Sequence, residues 1–302
     1  MARFVLGDVK RGGLLALAAA ILFGASTPAA KAIIAGVHPL MLAGLLYLGS
    51  GLGLAIVKIG GGRQTGTRLQ RADMPWLLAT VFFGGGLGPA LLMIGLTTTS
   101  GSTASLLLTL EGVFTAILAW IVFKEPFNRR VGIGMASIFV GAVLLALRGP
   151  SGHAGLFGAL AIAGACLSWA IDNNCTSKIS HVEAPTLTAI KGIVAGVANV
   201  GLALLAGAHF PPAGAVALSG LIGLFGYGVS LVLFVLALRE IGAARAGAYF
   251  STAPFIGAFV GLIALREPWN VTLAIAGALM AFGVWLHLTE EAAEPVEAKP
   301  AI

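Results

Sequence analysis

Apolar residues run along this chain in ten long blocks, separated by short stretches where Lys, Arg, Asp, Gly and Pro collect. The blocks cover roughly residues 12–35, 38–58, 74–97, 101–123, 130–148, 154–178, 185–207, 215–238, 242–264 and 269–288. Many reach the ~20 residues that a helix needs to cross a bilayer. The pattern predicts an all-α polytopic membrane protein with ten transmembrane helices. Small residues spaced four apart recur inside the blocks, at Gly49/Gly53, Gly84/Gly88, Gly192/Gly196 and Gly257/Gly261. Such pairs let helix backbones approach closely where lipid removes the hydrophobic drive between helices.

The polar breaks between the blocks repeat. "FKEPFN" at 123–128 returns as "LREPWN" at 265–270, with Glu125 and Glu267 lying 142 residues apart in a chain of 302. The first copy falls between the fourth and fifth blocks and the second between the ninth and tenth, so the chain reads as five spans, stated twice. Five is odd, so the second copy enters the membrane the other way up. Inverted repeats of this kind characterise transporters, because exchanging the conformations of the two halves turns an inward-open molecule into an outward-open one. The expected units are a first five-helix repeat at 1–149, an inverted second repeat at 150–288, and a disordered acidic tail at 289–302. In each copy Pro stands near the start of the last helix, where its missing N–H costs nothing, and the neighbouring acid suits the helix dipole. The phrase reads as a structural corner.

Composition narrows the class. With 58% hydrophobic and 10% charged residues, and a mean hydropathy of +0.98, the chain is far from the ~25% charge of soluble domains. The net charge of +6 is explained by loop bias rather than by nucleic acid. With the N-terminus inside, fourteen Lys and Arg fall in inner segments; three fall outside (Lys31, Arg148, Arg266), and Lys191 lies within a span. Both termini are therefore expected in the cytoplasm. The first block is too long for the apolar core of a signal peptide, typically ~7–15 residues, and is read as the first span. Cys166 and Cys175, nine apart on one predicted helix, stand about 13 Å apart along its axis and cannot pair with each other.

The corner phrase, the ten spans, and "TLEGVFTAILAWIVFKEP" matched by "STAPFIGAFVGLIALREP" resemble the drug/metabolite transporter superfamily, and within it the ten-helix EamA-type exporters. The resemblance covers nearly the whole chain. It implies a central cavity between the halves and export of small metabolites, with amino acids prominent. The family's Leu-Glu-Pro in the fourth helix stands here as Leu110-Glu111-Gly112; the second copy keeps Pro254 with Ala253 where the acid would be.

Ionisable residues inside a span cost about 2.5–3.5 kcal/mol on insertion scales, so each is a candidate for function. Glu111, in the fourth block, suits a substrate ammonium, a proton, or a hydrogen bond to a neighbouring helix. Asp172, Asn173 and Asn174 form a polar cluster late in the sixth block that lipid cannot satisfy, unless the helix finishes early. Lys191 in the seventh is placed either to meet a carboxylate or phosphate or to snorkel to the interface. Tyr47, Trp169, Tyr227 and Tyr249 are candidate cavity aromatics, tilting the reading towards a bulky apolar or aromatic amino acid. Pro28, Pro89, Gly112 and Pro254 are candidate hinges, with "GYG" at 226–228 beside them.

The expected activity is alternating-access export of a small amphipathic metabolite across a bacterial-type inner membrane, with protons as a candidate coupling ion. Nucleotide-sugar or phosphorylated-metabolite antiport and broad drug export are the rivals within carriers. An intramembrane enzyme finds no support: the chain holds no HExxH, no G-x-S-x-G and no complete Walker A, and "GGGRQTGT" at 60–67 lacks the phosphate-loop Lys. No cofactor, metal or nucleic-acid partner is expected.

Overall fold

A computed structural model describes residues 2–59, 69–123, 128–148 and 152–291. The loop at 60–68 and the corner residues 124–127 lie outside these, as do 292–302 of the expected tail. The helices are α1 (Ala2–Ile34), α2 (Pro39–Ile59), α3 (Met74–Ala79), α4 (Gly88–Thr98), α5 (Gly101–Leu107), α6 (Leu110–Phe123) and α7 (Arg129–Arg148). The second half follows as α8 (Gly152–Lys178), α9 (Ala184–Leu205), α10 (Ala213–Gly223), α11 (Ser230–Ile241), α12 (Ala243–Phe250), α13 (Ala253–Ala264) and α14 (Val271–Glu291). Together they make the ten expected spans. A helix suits lipid because it satisfies its own backbone groups. α14 continues to Glu291, so residues 289–291 extend the last helix rather than begin the tail.

Six spans are single helices, and the four others are broken, in matching places. The third span carries a π-helical stretch at Thr80–Leu87 between α3 and α4, and the eighth carries one at Leu224–Val229 between α10 and α11. The fourth breaks between α5 and α6, and the ninth between α12 and α13. The candidate hinges need correction in detail. Pro28 breaks nothing, since α1 runs through it. Pro89 and Pro254 occupy the first turns of α4 and α13, just after the breaks rather than at them. There a missing N–H is harmless, so proline restarts the helix. Gly112 sits two residues into α6, beyond the break at Leu108–Thr109.

The helices pair as an inverted repeat requires: α2 packs on its counterpart α9 and α7 on its counterpart α14, while α1 on α11 and α4 on α8 are the same first-to-third-span contact made once from each half. Glycine allows close seams. A Cβ on Gly192 would stand 2.7 Å from the Gly51 Cα and from the Tyr47 carbonyl oxygen, so α2 and α9 touch backbone to backbone. Met41, Leu42, Leu46, Met93 and Leu96 fill the interior, while Leu14, Ile56, Leu78, Leu147 and Phe157 face outward as lipid demands.

Two ends of the bundle can be told apart. Call the near end the one where α1 begins and α14 finishes. At the far end α5, α13 and the second half of α1 close together: a Cβ on Gly257 would meet the Ser105 Oγ and the Gly24 carbonyl, both at 2.6 Å. Towards the near end α6 and α12 stand apart, and the space between them is a cavity.

Candidate functional site

The cavity consists of two adjoining chambers of about 280 and 510 Å³ that share Phe23, Glu111, Asn173 and Phe250. The smaller lies against α2, α9 and α11 and is also lined by Tyr47, Trp169, Lys191 and Tyr227. The larger runs between α6 and α12 to His287 and Leu288 in the last turns of α14, so the cavity reaches the near end. Its size is that of a small-molecule site.

The charged and amide residues of the smaller chamber's wall have visible anchors. Asn173 on α8 donates through Nδ2 to Glu111 Oε1 at 2.8 Å. That bond fixes the carboxyl at the boundary of the two chambers, and Glu111 Oε2 has no hydrogen bond among the described residues. Lys191 on α9 donates through Nζ to Asp172 Oδ2 at 2.6 Å, and Thr176 donates to the other Asp172 oxygen at 3.1 Å. Asp172 is 6% exposed and packs against Gly84, where any side chain would collide with its carboxyl. Lys191 therefore faces the cavity with its counter-ion behind it. Burying such a pair is tolerable only because each charge compensates the other at short range.

Aromatic rings form the rest of the wall. Tyr47 and Tyr227 stand 5.6 Å apart, Tyr227 meets Phe23 edge-on at 5.9 Å, Phe23 meets Phe250 at 5.4 Å, and Phe250 meets Phe234 at 4.6 Å. These separations suit attractive ring pairing, so the arc is a preformed apolar surface. The π-helical stretch is held from the same side: the Tyr47 hydroxyl and the Trp169 indole N–H both donate to the Gly84 carbonyl, at 2.7 and 3.0 Å. Asn199 approaches the carbonyls of Gly85 and Gly86 at 3.4 and 3.2 Å. Partners from α2, α8 and α9 thus replace the helical bonds that the π turn displaces.

Of the nine candidate binding residues, six line the cavity: Glu111, Asn173, Lys191, Tyr47, Trp169 and Tyr227. Asp172 stands behind Lys191. Asn174 turns away, its Nδ2 donating to the Ala170 carbonyl at 2.8 Å. Tyr249 lies 43% exposed near Gly13, and its neighbour Phe250 takes the cavity position. Consecutive helical residues point about 100° apart, so neither the 172–174 triplet nor the 249–250 pair can share one direction. Phe23, Phe234 and the hydroxyl residues Ser50, Thr188 and Ser230 were missed; single residues in apolar helices carry no local signal.

The sequence model of the EamA-like transporter family matches twice, over residues 10–147 and again over 156–289. This chain belongs to the EamA-like transporter family. Among its relatives, an uncharacterized transporter of Methanothermobacter thermautotrophicus (strain Delta H) is 26% identical over 292 residues, covering 91% of this chain and 85% of that one. The uncharacterized transporter YvbV of Bacillus subtilis (strain 168) is 25% identical over 283 residues, covering 89% and 88%. A solved crystal structure, described only as that of a protein, superimposes with a TM-score of 0.68 at 16% identity over 95% of this chain and 98% of the other. That likeness is one of fold. The EamA family and the ten apolar helices make this chain a multi-pass membrane transporter.

Proposed function

We propose that this EamA-family transporter exports a small amphipathic metabolite, in the first place an aromatic or large apolar amino acid, by alternating access. The observation that carries the reading is one cavity that holds a fixed carboxylate, a fixed ammonium and an aromatic arc together. The substrate ammonium meets Glu111, its carboxylate meets Lys191, and its side chain lies on Tyr47, Tyr227 and Phe23. The positive-inside bias puts the near end, and with it both termini, in the cytoplasm. A cavity reaching that end is the loading state of an exporter in the inner membrane. Protons are the proposed coupling ion, with Glu111 as their carrier.

One observation favours a second reading. Asp172 already engages Lys191, so Glu111 leaves the cavity wall with an excess negative charge beside aromatic faces, an arrangement that also suits a lipophilic cation. Nucleotide sugars fit worse, since Lys191 is the single Lys or Arg among the described lining residues.

Thermal unfolding in detergent tests the choice. A ligand at 100 times its Kd stabilises the folded state by about 2.7 kcal/mol. Phenylalanine and its large apolar analogues should raise the unfolding temperature, and Glu111→Gln should remove the effect. Stabilisation by a lipophilic cation with none from any amino acid would reject the amino-acid reading.

A further inference from the structure

The second corner phrase does more than turn the chain. Glu267, in the segment joining α13 to α14, reaches back to the start of α5 in the other half of the molecule. Its Oε1 accepts from the Gly101 N–H at 2.6 Å and its Oε2 from the Ser102 N–H at 2.8 Å. Both carboxylate oxygens are thus spent on backbone donors at a helix start, where charge-assisted bonds are short and strong and the helix dipole adds to them.

Three further observations mark this contact as built. Arg266, immediately before Glu267, has φ of 52°, the one non-glycine residue among those described to adopt a left-handed backbone. Residues with a Cβ avoid that region, and such outliers persist where the surroundings enforce them. The approach is also too close for side chains: a Cβ on Gly261 would lie 2.8 Å from the Ser102 nitrogen, and one on Gly101 would lie 3.2 Å from the Pro28 Cα. Beside it, Lys31 in the last turn of α1 donates through Nζ to the Leu96 carbonyl of α4 at 2.6 Å.

We infer that Glu267 is the latch of the far gate. Resting on the alternating-access reading above, the inference adds the contact that holds the far end shut while the near end is open. Glu267 touches neither chamber, so its part in transport is played through α5. For the cavity to open at the far end, α5 must part from the α13–α14 corner, and the two hydrogen bonds are what that motion breaks. The repeat shows which surface is then uncovered. Ser105 of α5 corresponds, 142 residues on, to Gly247 of α12; Gly247 lines the open chamber, whereas Ser105 is 1% exposed at the closed end. Exchanging the conformations of the halves exchanges these two environments.

The test places single thiol reporters at Ser105→Cys and at Gly247→Cys, in protein carrying Cys166→Ala and Cys175→Ser and held in lipid nanodiscs, and measures alkylation rates. A Cβ at Gly247 meets nothing within 4 Å, so that reporter disturbs little. Glu267→Gln keeps one acceptor and turns an amide N–H₂ towards the other backbone donor. It should raise the rate at the Ser105→Cys reporter by about tenfold or more and lower it at Gly247→Cys. A brace with no gating role would lower the unfolding temperature and leave both rates alone; unchanged rates in folded protein overturn the latch. Glu267→Asp, too short to reach both N–H groups, should give a smaller shift in the same direction and decides the matter if the Gln protein does not fold. The labelling needs no substrate. A shift in rates with no amino-acid transport would sink the substrate reading alone, and transport without a shift would sink the latch alone.

Discussion

Replacing Lys191 by Met removes the ammonium that compensates Asp172 within the bundle. The side chains of Lys191 and Asp172 are 19% and 8% exposed, and their charges meet at 2.6 Å, so little water is at hand to take the cation's place. Breaking a buried pair by deleting one partner costs about 3–5 kcal/mol, most of it the stranded charge. For a chain of this size that corresponds to a drop of roughly 6–10 °C in unfolding temperature. Adding Asp172→Asn to Lys191→Met removes the stranded charge as well and should recover most of the loss, giving a strongly non-additive double-mutant cycle. Unfolding in detergent, followed by near-UV circular dichroism, supplies the four stabilities. The same double variant separates stability from transport: it should fold well yet bind amino acid poorly, because the carboxylate partner is gone. Additive losses, with the double variant as unstable as the sum of the singles, would refute the assignment of Lys191 and Asp172 as a compensating pair.

Other perturbations probe different parts of the account. Glu111→Gln keeps the oxygen that accepts from Asn173 but loses the charge, so folding should persist while substrate affinity falls by roughly 10–150-fold, the value of a hydrogen bond to a charged group; a direct binding titration reads the difference. Gly192→Val drives a side chain into the Gly51 backbone 2.7 Å away, which cannot yield, and should cost at least about 1–3 kcal/mol in unfolding measurements. Tyr47→Phe leaves the Gly84 carbonyl with Trp169 as its donor, and should lower stability by about 0.5–1.5 kcal/mol while sparing the ring arc.

The parts of this molecule that the sequence makes legible are those governed by one-dimensional rules. Span lengths follow from bilayer thickness, and the repeat follows from a phrase stated twice. Cavity residues are legible where their chemistry is costly: Glu111 and Lys191 stand out because lipid forbids them. Pairings are not legible. Asp172 and Lys191, nineteen residues apart on neighbouring helices, read as two independent binding groups until α8 and α9 bring them together. Asn174 and Tyr249 show the cost of neglecting helical register, since each lies next to the residue that does face the cavity. The π turns coincide with glycine, in the run at 84–86 and in the "GYG" at 226–228 named as a hinge candidate, whereas Pro89 and Pro254 restart helices after the breaks and Pro28 lies within a helix. Glu267 was hidden for another reason. Its partners are backbone N–H groups 165 and 166 residues away, and backbone donors have no sequence signature.

The central claim, that the two-chambered cavity carries an amino acid across the membrane, is tested most directly by counterflow. Proteoliposomes preloaded with unlabelled phenylalanine are placed in labelled phenylalanine, with liposomes lacking protein as the baseline. The account predicts saturable, transient accumulation of label that large apolar amino acids compete away and that Glu111→Gln abolishes. Accumulation no greater than in empty liposomes, in vesicles that exchange a lipophilic cation or a nucleotide sugar through the same protein, would contradict it.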